Sequence, residues 1–211
     1  MNTDKPFGLL FDLDGVLIDT ESVYTSFWQA INHRFPTGVD GFEYIIKGSN
    51  LNEILPNFFP DATVQGKVVD MLNEFQRGMR YDYFAGVPEF LADINRRGIP
   101  CAVVTSSDNR KMEALAGQHP DFASHFQAIV TGDMITRAKP DPECYHLGAH
   151  LLGLEAEQCY VFEDSLNGLR AGMASGATVI GLATTLPAEE IAPYCHHIIN
   201  NVYEAHALLK F

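Results

Sequence analysis

The segment from Phe7 to Val16 constrains the fold more than any other part of the sequence. It begins as an apolar run and ends in two aspartates, Asp12 and Asp14, that are separated by one residue. Apolar residues on both faces of a strand are typical of a parallel sheet that helices cover on both sides. Ligands bind beyond the carboxyl ends of such strands. The sequence therefore places Asp12 and Asp14 where the chemistry of such a fold takes place.

A second acidic pair, Glu163 and Asp164, follows another apolar run, so four carboxylates are expected to converge at one edge of the sheet. Like charges about 4 Å apart repel by about 4 kcal/mol at an effective dielectric constant of about 20. A bound cation would remove this repulsion, and oxygen ligands favour a hard divalent ion such as Mg²⁺. Either acidic pair alone would also fit a helix cap or a turn.

Groups that suit an anion occur at two further places. A third apolar run, residues 100–104, ends in Thr105-Ser106-Ser107-Asp108, just before a stretch that permits a helix from about Asn109. Hydroxyls and free amides at the start of a helix bind phosphate, so Thr105 is the expected ligand and Ser107 or Asp108 the expected helix cap. Lys139 lies in a short loop stiffened by prolines and is the expected cation for phosphoryl oxygens.

These motifs resemble those of the haloacid dehalogenase-like superfamily, specifically its phosphatases and phosphomutases with a helical cap. The resemblance spans essentially the whole chain, and both the order and the spacing of the motifs agree. The motifs are Asp12-Leu13-Asp14-Gly15-Val16, Val103-Val104-Thr105-Ser106, Lys139-Pro140, and Glu163-Asp164-Ser165 followed by Gly168.

The resemblance implies a mechanism. Asp12 would be the nucleophile that forms an aspartyl-phosphate, and Asp14 would be the general acid and then the general base. Mg²⁺ would be held by the carboxylates of Asp12 and Asp164, by the backbone carbonyl of Asp14, and by Glu163 directly or through water. Catalysis would rest mainly on positioning and charge neutralisation.

The resemblance also implies which groups hold the substrate. Gly15, Thr105, the backbone amide of Ser106 and Lys139 would bind the phosphoryl oxygens, with Thr105 and Lys139 contributing to catalysis. In the cap, Tyr24 is expected to face the site, and Lys47 and Asn50 lie near a Gly-Ser turn that could reach the leaving group.

Alternating strands and helices predict an α/β fold with a doubly wound parallel sheet, a Rossmann-like core. Helical spacing in residues 20–31, 51–58 and 63–80 predicts an inserted α-helical cap. The catalytic core is accordingly expected to comprise residues 1–19 and 82–211, and the cap residues 20–81. Val23, Phe27, Ala30 and Ile31 follow the spacing of one helix face.

The function expected from these features is a Mg²⁺-dependent phosphohydrolase of a small phosphorylated metabolite. A sugar phosphate is the default substrate, and pyrophosphate, a nucleotide or another phosphoester is the open alternative. Dehalogenation is disfavoured, because dehalogenases of the superfamily lack the second aspartate, Asp14. A β-phosphoglucomutase-type phosphomutase is the alternative, although such mutases carry a His where Tyr24 stands and an Arg where Leu51 stands. A non-catalytic phosphometabolite-binding protein is a further alternative.

Composition limits the partners. A formal net charge of −13 disfavours binding to nucleic acids and to anionic membrane surfaces. The four cysteines lack the spacing of a zinc site or a disulfide framework, which indicates a cytoplasmic location. No apolar run approaches the roughly 20 residues of a membrane span, and no secretion signal is recognised. A monomer is expected, because the core looks self-sufficient.

Overall fold

The computed structural model describes residues 6–209, so the ends of the predicted core, residues 1–5 and 210–211, lie outside the described residues. The strands are β1 Gly8–Phe11, β2 Cys101–Val104, β3 Ala128–Val130, β4 Cys159–Glu163, β5 Thr178–Leu182 and β6 His197–Ile199. The α-helices are α1 Glu21–Arg34, α2 Phe42–Ile45, α3 Leu51–Phe58, α4 Ala62–Gly78, α5 Val87–Arg96, α6 Asn109–Gln118, α7 Glu143–Leu151, α8 Leu166–Ala174, α9 Ala188–Ile191 and α10 Ala205–Leu209. Short 3₁₀ helices span Phe122–His125, Gly132–Met134, Ala156–Gln158, Ala192–Tyr194 and Val202–Glu204.

The six strands form one sheet in the order β3-β2-β1-β4-β5-β6, and every pair of neighbouring strands is parallel. The strand order reverses its direction at β1, which lies between β2 and β4. Open α/β sheets bind their ligands at such a switch point, beyond the carboxyl ends of the strands. The sheet therefore confirms the predicted doubly wound α/β fold and places the end of β1 at its binding edge.

Helices cover both faces of the sheet, because successive side chains of each strand point to opposite sides. In β1, Leu9 and Phe11 pack with α5 and α6 in one apolar cluster, whereas Leu10 packs with α7 and α8 in another. All four residues of β1 are buried. Gly172 allows the close approach of α8, since a Cβ at this position would lie 3.0 Å from methyl groups of both Val161 and Val179.

The stretch between β1 and β2 contains the helices α1 to α4, which we call the helical insertion (residues 21–78), and it has an apolar cluster of its own. Trp28 and Ile31 of α1 are buried in this cluster, but Val23 is 40% exposed and Ala30 is also exposed. The predicted apolar face of α1 is therefore partly wrong. The buried face is rotated toward the aromatic side chains, which bury more apolar area than alanine or valine.

The two ends of the helical insertion lie side by side. The Asp19 amide donates a hydrogen bond of 2.9 Å to the carbonyl of Asp82, and Ile18 forms an antiparallel bridge with Tyr83. The chain thus leaves the sheet region and returns to it at one place. The exact limits of the cap, residues 20 and 81, stay a prediction.

Within residues 6–209, no helix is both long and apolar enough to cross a membrane.

Candidate active site

The residues of the four sequence motifs lie together at the carboxyl ends of β1, β2 and β4. Asp12 directly follows β1, and its amide donates to the carbonyl of Phe162 in β4 at 3.0 Å. Thr105 directly follows β2 and its amide donates to the carbonyl of Val130 at 2.9 Å. A cavity of about 190 Å³ opens above these groups, between the sheet and the helical insertion.

Lys139 lies beneath the cavity and is 1% exposed. Its ammonium group donates to Asp12 Oδ1 at 2.7 Å, to Glu163 Oε1 at 2.6 Å and to the carbonyl of Val104 at 3.2 Å. Burial lowers the pKa of a lysine, but the two carboxylates outweigh this effect, so the pKa of Lys139 lies above its ordinary value. Lys139 is therefore a charged side chain that links β1, β2 and β4.

Both carboxylate oxygens of Glu163 are occupied by hydrogen bonds. Oε1 accepts from Lys139 and from the Tyr145 hydroxyl at 2.8 Å, while Oε2 accepts from the amides of Asp164 and Ser165 and from Ser165 Oγ, each at 3.1 Å. Gly168 makes room for this carboxylate, because a Cβ there would lie 1.7 Å from Oε1. These contacts indicate that Glu163 holds Lys139 and Tyr145 in position. They leave Glu163 less free to bind a ligand than Asp164.

Asp164 presents an oxygen without a protein partner. Asp164 is 1% exposed, and Oδ2 has no partner within hydrogen-bond distance among the described residues; the Thr185 hydroxyl, which lies near enough to lower the pKa of Asp164, lacks one as well. Gly15, which has a φ of +75°, keeps this space open, since a Cβ there would lie 1.9 Å from Asp164 Oδ2. A buried carboxylate oxygen without a partner is costly, so a cation at this place would stabilise the folded protein.

The acidic cluster fits a divalent cation. One oxygen each from Asp12, Glu163 and Asp164 lie within 4.8 Å of one another, and all three side chains are buried. The donors are all oxygens, which hard cations such as Mg²⁺ prefer. Carboxylates outnumber ammonium groups among the described residues that line the cavity, where Lys47 and Lys111 are the only lysines; the carboxylates are Asp12, Asp14, Glu21, Glu43, Asp108, Asp133 and Asp164. This excess of negative charge favours a bound cation.

The same burial raises carboxylate pKa values in the metal-free protein. It raises the pKa of Asp12 to about 8 and that of Asp164 well above its ordinary value. The folded state thus keeps these protons to a higher pH than the unfolded chain does. We expect the free energy of unfolding, measured by urea denaturation in EDTA, to fall as the pH rises from about 5 to about 8.

A divalent cation such as Mg²⁺ would bind the ionised carboxylates, so its addition is expected to raise the urea midpoint more at pH 8 than at pH 6. Asp12→Asn should weaken the pH dependence in EDTA, because it removes one of the titrating groups. A metal-free protein whose stability rises over this pH range would contradict the assignment.

Asp14 is held by three donors. Its Oδ1 accepts from the Thr20 hydroxyl, and its Oδ2 accepts from Ser107 Oγ at 3.1 Å and from the Lys111 ammonium. Lys111 is only 3% exposed, and its Nζ lies 4.3 Å from the centre of the Tyr24 ring. Asp14 therefore contacts both the start of the helical insertion and helix α6.

Sequence reasoning missed Lys111, because a single lysine in a helix usually faces solvent. The spacing of residues in α6 does indicate that Lys111 is buried. Lys111 lies four residues before the buried Leu115, so the two side chains lie on the same face of the helix. Tyr145, whose hydroxyl donates to Glu163, was missed for a related reason. A tyrosine beside Cys144 in a helix reads as an ordinary core residue.

In the loop after β2, one polar side chain caps α6 and others line the cavity. The side chain of Asp108 accepts a hydrogen bond of 3.0 Å from the Lys111 amide. Asp108, and not Ser107, is therefore the N-cap of α6. Thr105 Oγ1 accepts from the Ser107 amide at 3.0 Å, and Thr105 and Ser106 both line the cavity. Ser106 Oγ donates to the carbonyl of Gly48 in the helical insertion at 2.8 Å.

Tyr24, Lys47 and Asn50 all line the cavity from the side of the helical insertion. Lys47 pairs with Glu21, and the Tyr24 hydroxyl accepts from Gln76 Nε2 at 3.1 Å. Asn50 has a second task, because its side-chain oxygen caps α3 by accepting from the Glu53 amide at 3.0 Å.

The helical insertion contacts the sheet region directly through its loop at residues 47–49. Asn167 Nδ2 donates to the Lys47 carbonyl at 3.0 Å and to Ser49 Oγ at 3.3 Å. Gly48 has a φ of +77°, and a Cβ on it would lie 2.7 Å from Ser165 Oγ. The loop therefore lies close against the start of α8, and this contact encloses the cavity.

Comparisons with known proteins agree with this arrangement. The family model for haloacid dehalogenase-like hydrolases matches residues 9–182. Hexitol phosphatase A of Escherichia coli is 31% identical over 193 residues, which cover 86% of this chain and 84% of that protein. A β-phosphoglucomutase of Mycobacterium bovis is 28% identical, covering 92% of this chain and 87% of that protein.

Among solved structures, a hydrolase from Pseudomonas syringae superimposes with a TM-score of 0.84 at 17% identity, covering 97% of this chain and 98% of that one. At this identity the superposition shows the fold, whereas the sequence matches show the relationship. The chain belongs to the haloacid dehalogenase-like hydrolase family.

Proposed function

We propose that this protein is a Mg²⁺-dependent phosphohydrolase that releases phosphate from a small phosphorylated sugar or polyol through an aspartyl-phosphate. The observation that carries the proposal is the group of Asp12, Lys139 and Asp164 at the switch point of the sheet. It combines a carboxylate nucleophile, a buried cation and a buried carboxylate oxygen without a protein partner. Relatives named as phosphatases of phosphorylated carbohydrates support the substrate class.

In this proposal, Asp12 attacks phosphorus while Lys139 neutralises charge on Asp12 and on the transferring phosphoryl group. The phosphoryl oxygens are bound by Thr105 and the Ser106 amide. Gly15 was predicted as a further donor, but its amide already donates to the carbonyl of Ile18 at 3.0 Å. Mg²⁺, when bound by Asp12, Asp164 and the carbonyl of Asp14, supplies further charge neutralisation. Glu163 holds Lys139 in place from below.

Asp14 transfers the protons. It protonates the leaving oxygen as the phosphoryl group moves to Asp12, and it then takes a proton from the water that hydrolyses the aspartyl-phosphate. Its contacts with Thr20, Ser107 and Lys111 fix the carboxylate in the wall of the cavity. Residues 20–81 act as a cap that excludes bulk water from this step.

The experiment is phosphate release from a panel of phosphorylated sugars, polyols and nucleotides, in Mg²⁺ and in EDTA. We expect release from the sugar or polyol phosphates in Mg²⁺ and a loss of at least about 100-fold in EDTA, because the excess negative charge of the site would oppose an anionic substrate. Turnover that EDTA leaves unchanged would contradict the metal assignment.

A phosphomutase is the second candidate, because the chain also matches a β-phosphoglucomutase. Tyr24 and Leu51 stand where such mutases carry a His and an Arg, and this difference favours hydrolysis. Conversion of glucose 1-phosphate to glucose 6-phosphate without net phosphate release would show that the protein is a mutase.

The four free cysteines support a reducing, cytoplasmic location, and we propose a monomer.

A further inference from the structure

The part of the cavity that lies toward the helical insertion would receive the leaving group, if the phosphoryl group binds at Asp12 as proposed above. This leaving-group pocket is formed by Glu21, Tyr24, Lys47, Asn50, Gln76 and Lys111. The inference below rests on the proposed function and concerns the charge of the molecule that this pocket accepts.

Both cations of the leaving-group pocket are already neutralised. Lys47 pairs with Glu21, and their side chains are 11% and 22% exposed. Lys111 pairs with Asp14, and their side chains are 3% and 14% exposed. Among the described residues that line the whole cavity, Lys47 and Lys111 are the only lysines, and no arginine lines it. A second anionic group on the substrate would therefore find no free cation here.

An anionic leaving group would have to displace Glu21 from Lys47. The displaced carboxylate would stay in a site where burial already raises its pKa, and where Asp14 raises it further. Glu21 also lies close enough to Asp164 to raise the pKa of that carboxyl group. Leaving one member of a buried ion pair without its partner is strongly unfavourable. Repulsion from Glu21 is therefore an element that rejects the wrong substrate.

Uncharged groups supply the rest of the pocket. The cap of α3 uses the oxygen of the Asn50 side chain, so its amide nitrogen is not part of that hydrogen bond. Gln76 and the hydroxyl of Tyr24 are joined at 3.1 Å, and both reach the cavity. Amides and hydroxyls of this kind bind the hydroxyl groups of a sugar or polyol, and an aromatic ring packs against its carbon atoms.

We propose that Glu21 is a specificity-determining residue. By neutralising Lys47 it restricts the enzyme to monophosphates whose leaving group is an uncharged polyol or sugar, and it rejects leaving groups that carry a carboxylate or a second phosphate.

The test compares substrates that differ only in that charge. One pair is glucitol 6-phosphate and 6-phosphogluconate, and a shorter pair is glycerol 3-phosphate and 3-phosphoglycerate. For the wild-type enzyme in Mg²⁺ we expect kcat/KM to favour the uncharged member of at least one pair by about tenfold or more. This ratio needs no variant, and any general loss of activity cancels in it.

Glu21→Gln should release Lys47 and shift the ratio toward the charged member by about tenfold. The added change Lys47→Gln should abolish that shift, because the released cation is then absent. Glu43→Gln is the matched control, since Glu43 also lines the cavity but accepts from Gln29 Nε2 at 3.0 Å. Its ratio should equal that of the wild type.

The outcomes separate this inference from the proposed function. Equal or better hydrolysis of the charged members by the wild type, or an unchanged ratio in Glu21→Gln, would overturn the role of Glu21. Hydrolysis of p-nitrophenyl phosphate with no activity on either uncharged substrate would overturn the polyol preference and leave the phosphohydrolase standing. Failure on every phosphate ester would overturn the proposed function itself.

Discussion

Asp12→Asn is expected to lower phosphate release by at least about 10⁴-fold, because an amide cannot form the acyl-phosphate that the proposed mechanism requires. The fold should survive. Asparagine has the shape of aspartate and keeps an oxygen that accepts from Lys139, and Lys139 retains Glu163 as its charged partner. At pH 5 in EDTA, where Asp12 is protonated, we expect the free energy of unfolding to stay within about 1 kcal/mol of the wild type.

The measurement is steady-state phosphate release in Mg²⁺, together with mass spectrometry of the acid-quenched enzyme during turnover. The wild type should carry one phosphoryl group on the peptide that contains Asp12, and the variant should carry none. Asp133→Asn is the matched control, since Asp133 is an exposed residue at the cavity that accepts from the Asn109 amide. Activity of Asp12→Asn within tenfold of the wild type would end the covalent mechanism.

Lys139→Met is expected to destabilise the protein by about 3–5 kcal/mol, which is typical when one partner of a buried ion pair is removed. Methionine fills nearly the same space, so the loss comes from charge. Asp12 and Glu163 would face each other without the cation that now lies 2.7 Å and 2.6 Å from them. Catalysis should also fail, because the same cation would neutralise the phosphoryl group.

The loss of stability should depend on pH. Burial already raises the pKa of Asp12 to about 8, and without Lys139 that pKa would rise further. Protonation of Asp12 would then relieve the repulsion, so the destabilisation should shrink as the pH falls from about 8 to about 5. Urea denaturation in EDTA at both pH values measures it.

Arg137→Met is the control for removing a nearby cation. The Arg137 side chain is 68% exposed and pairs with Asp141 and Glu143, so its loss should cost less than about 1 kcal/mol. If Lys139→Met costs no more than Arg137→Met, the buried ion pairs do not stabilise this fold.

The sheet and the residues at its carboxyl edge were predictable because each strand is an apolar run that stops at a polar residue. Phe11 before Asp12, and Val104 before Thr105, mark the ends of β1 and β2 without any knowledge of the fold. Parallel strands then bring these ends to one edge. For this reason residues that are more than 90 positions apart in the chain can meet, as Asp14 and Ser107 do at 3.1 Å, although Ser107 was predicted only as a possible helix cap.

The helical insertion was harder to predict, because its side chains have competing partners. Asn50 was expected near the leaving group, but a turn followed by a helix also allows it to cap α3, and it does so. Helix α1 carries apolar residues on more than one face, so spacing alone did not separate exposed Val23 from buried Trp28. The burial of Lys111 depends on Asp14 and Tyr24, which no local pattern connects to it.

The pairing of Asp19 with Asp82, and of Ile18 with Tyr83, has an evolutionary consequence. The helical insertion begins and ends at neighbouring points, so its length and sequence can change without stretching β1 or displacing β2. Mutations of the leaving-group pocket residues that belong to the helical insertion therefore do not alter the spacing of the strands that carry the chemistry. Substitutions within the helical insertion can therefore change the substrate of such a chain while the reaction stays the same.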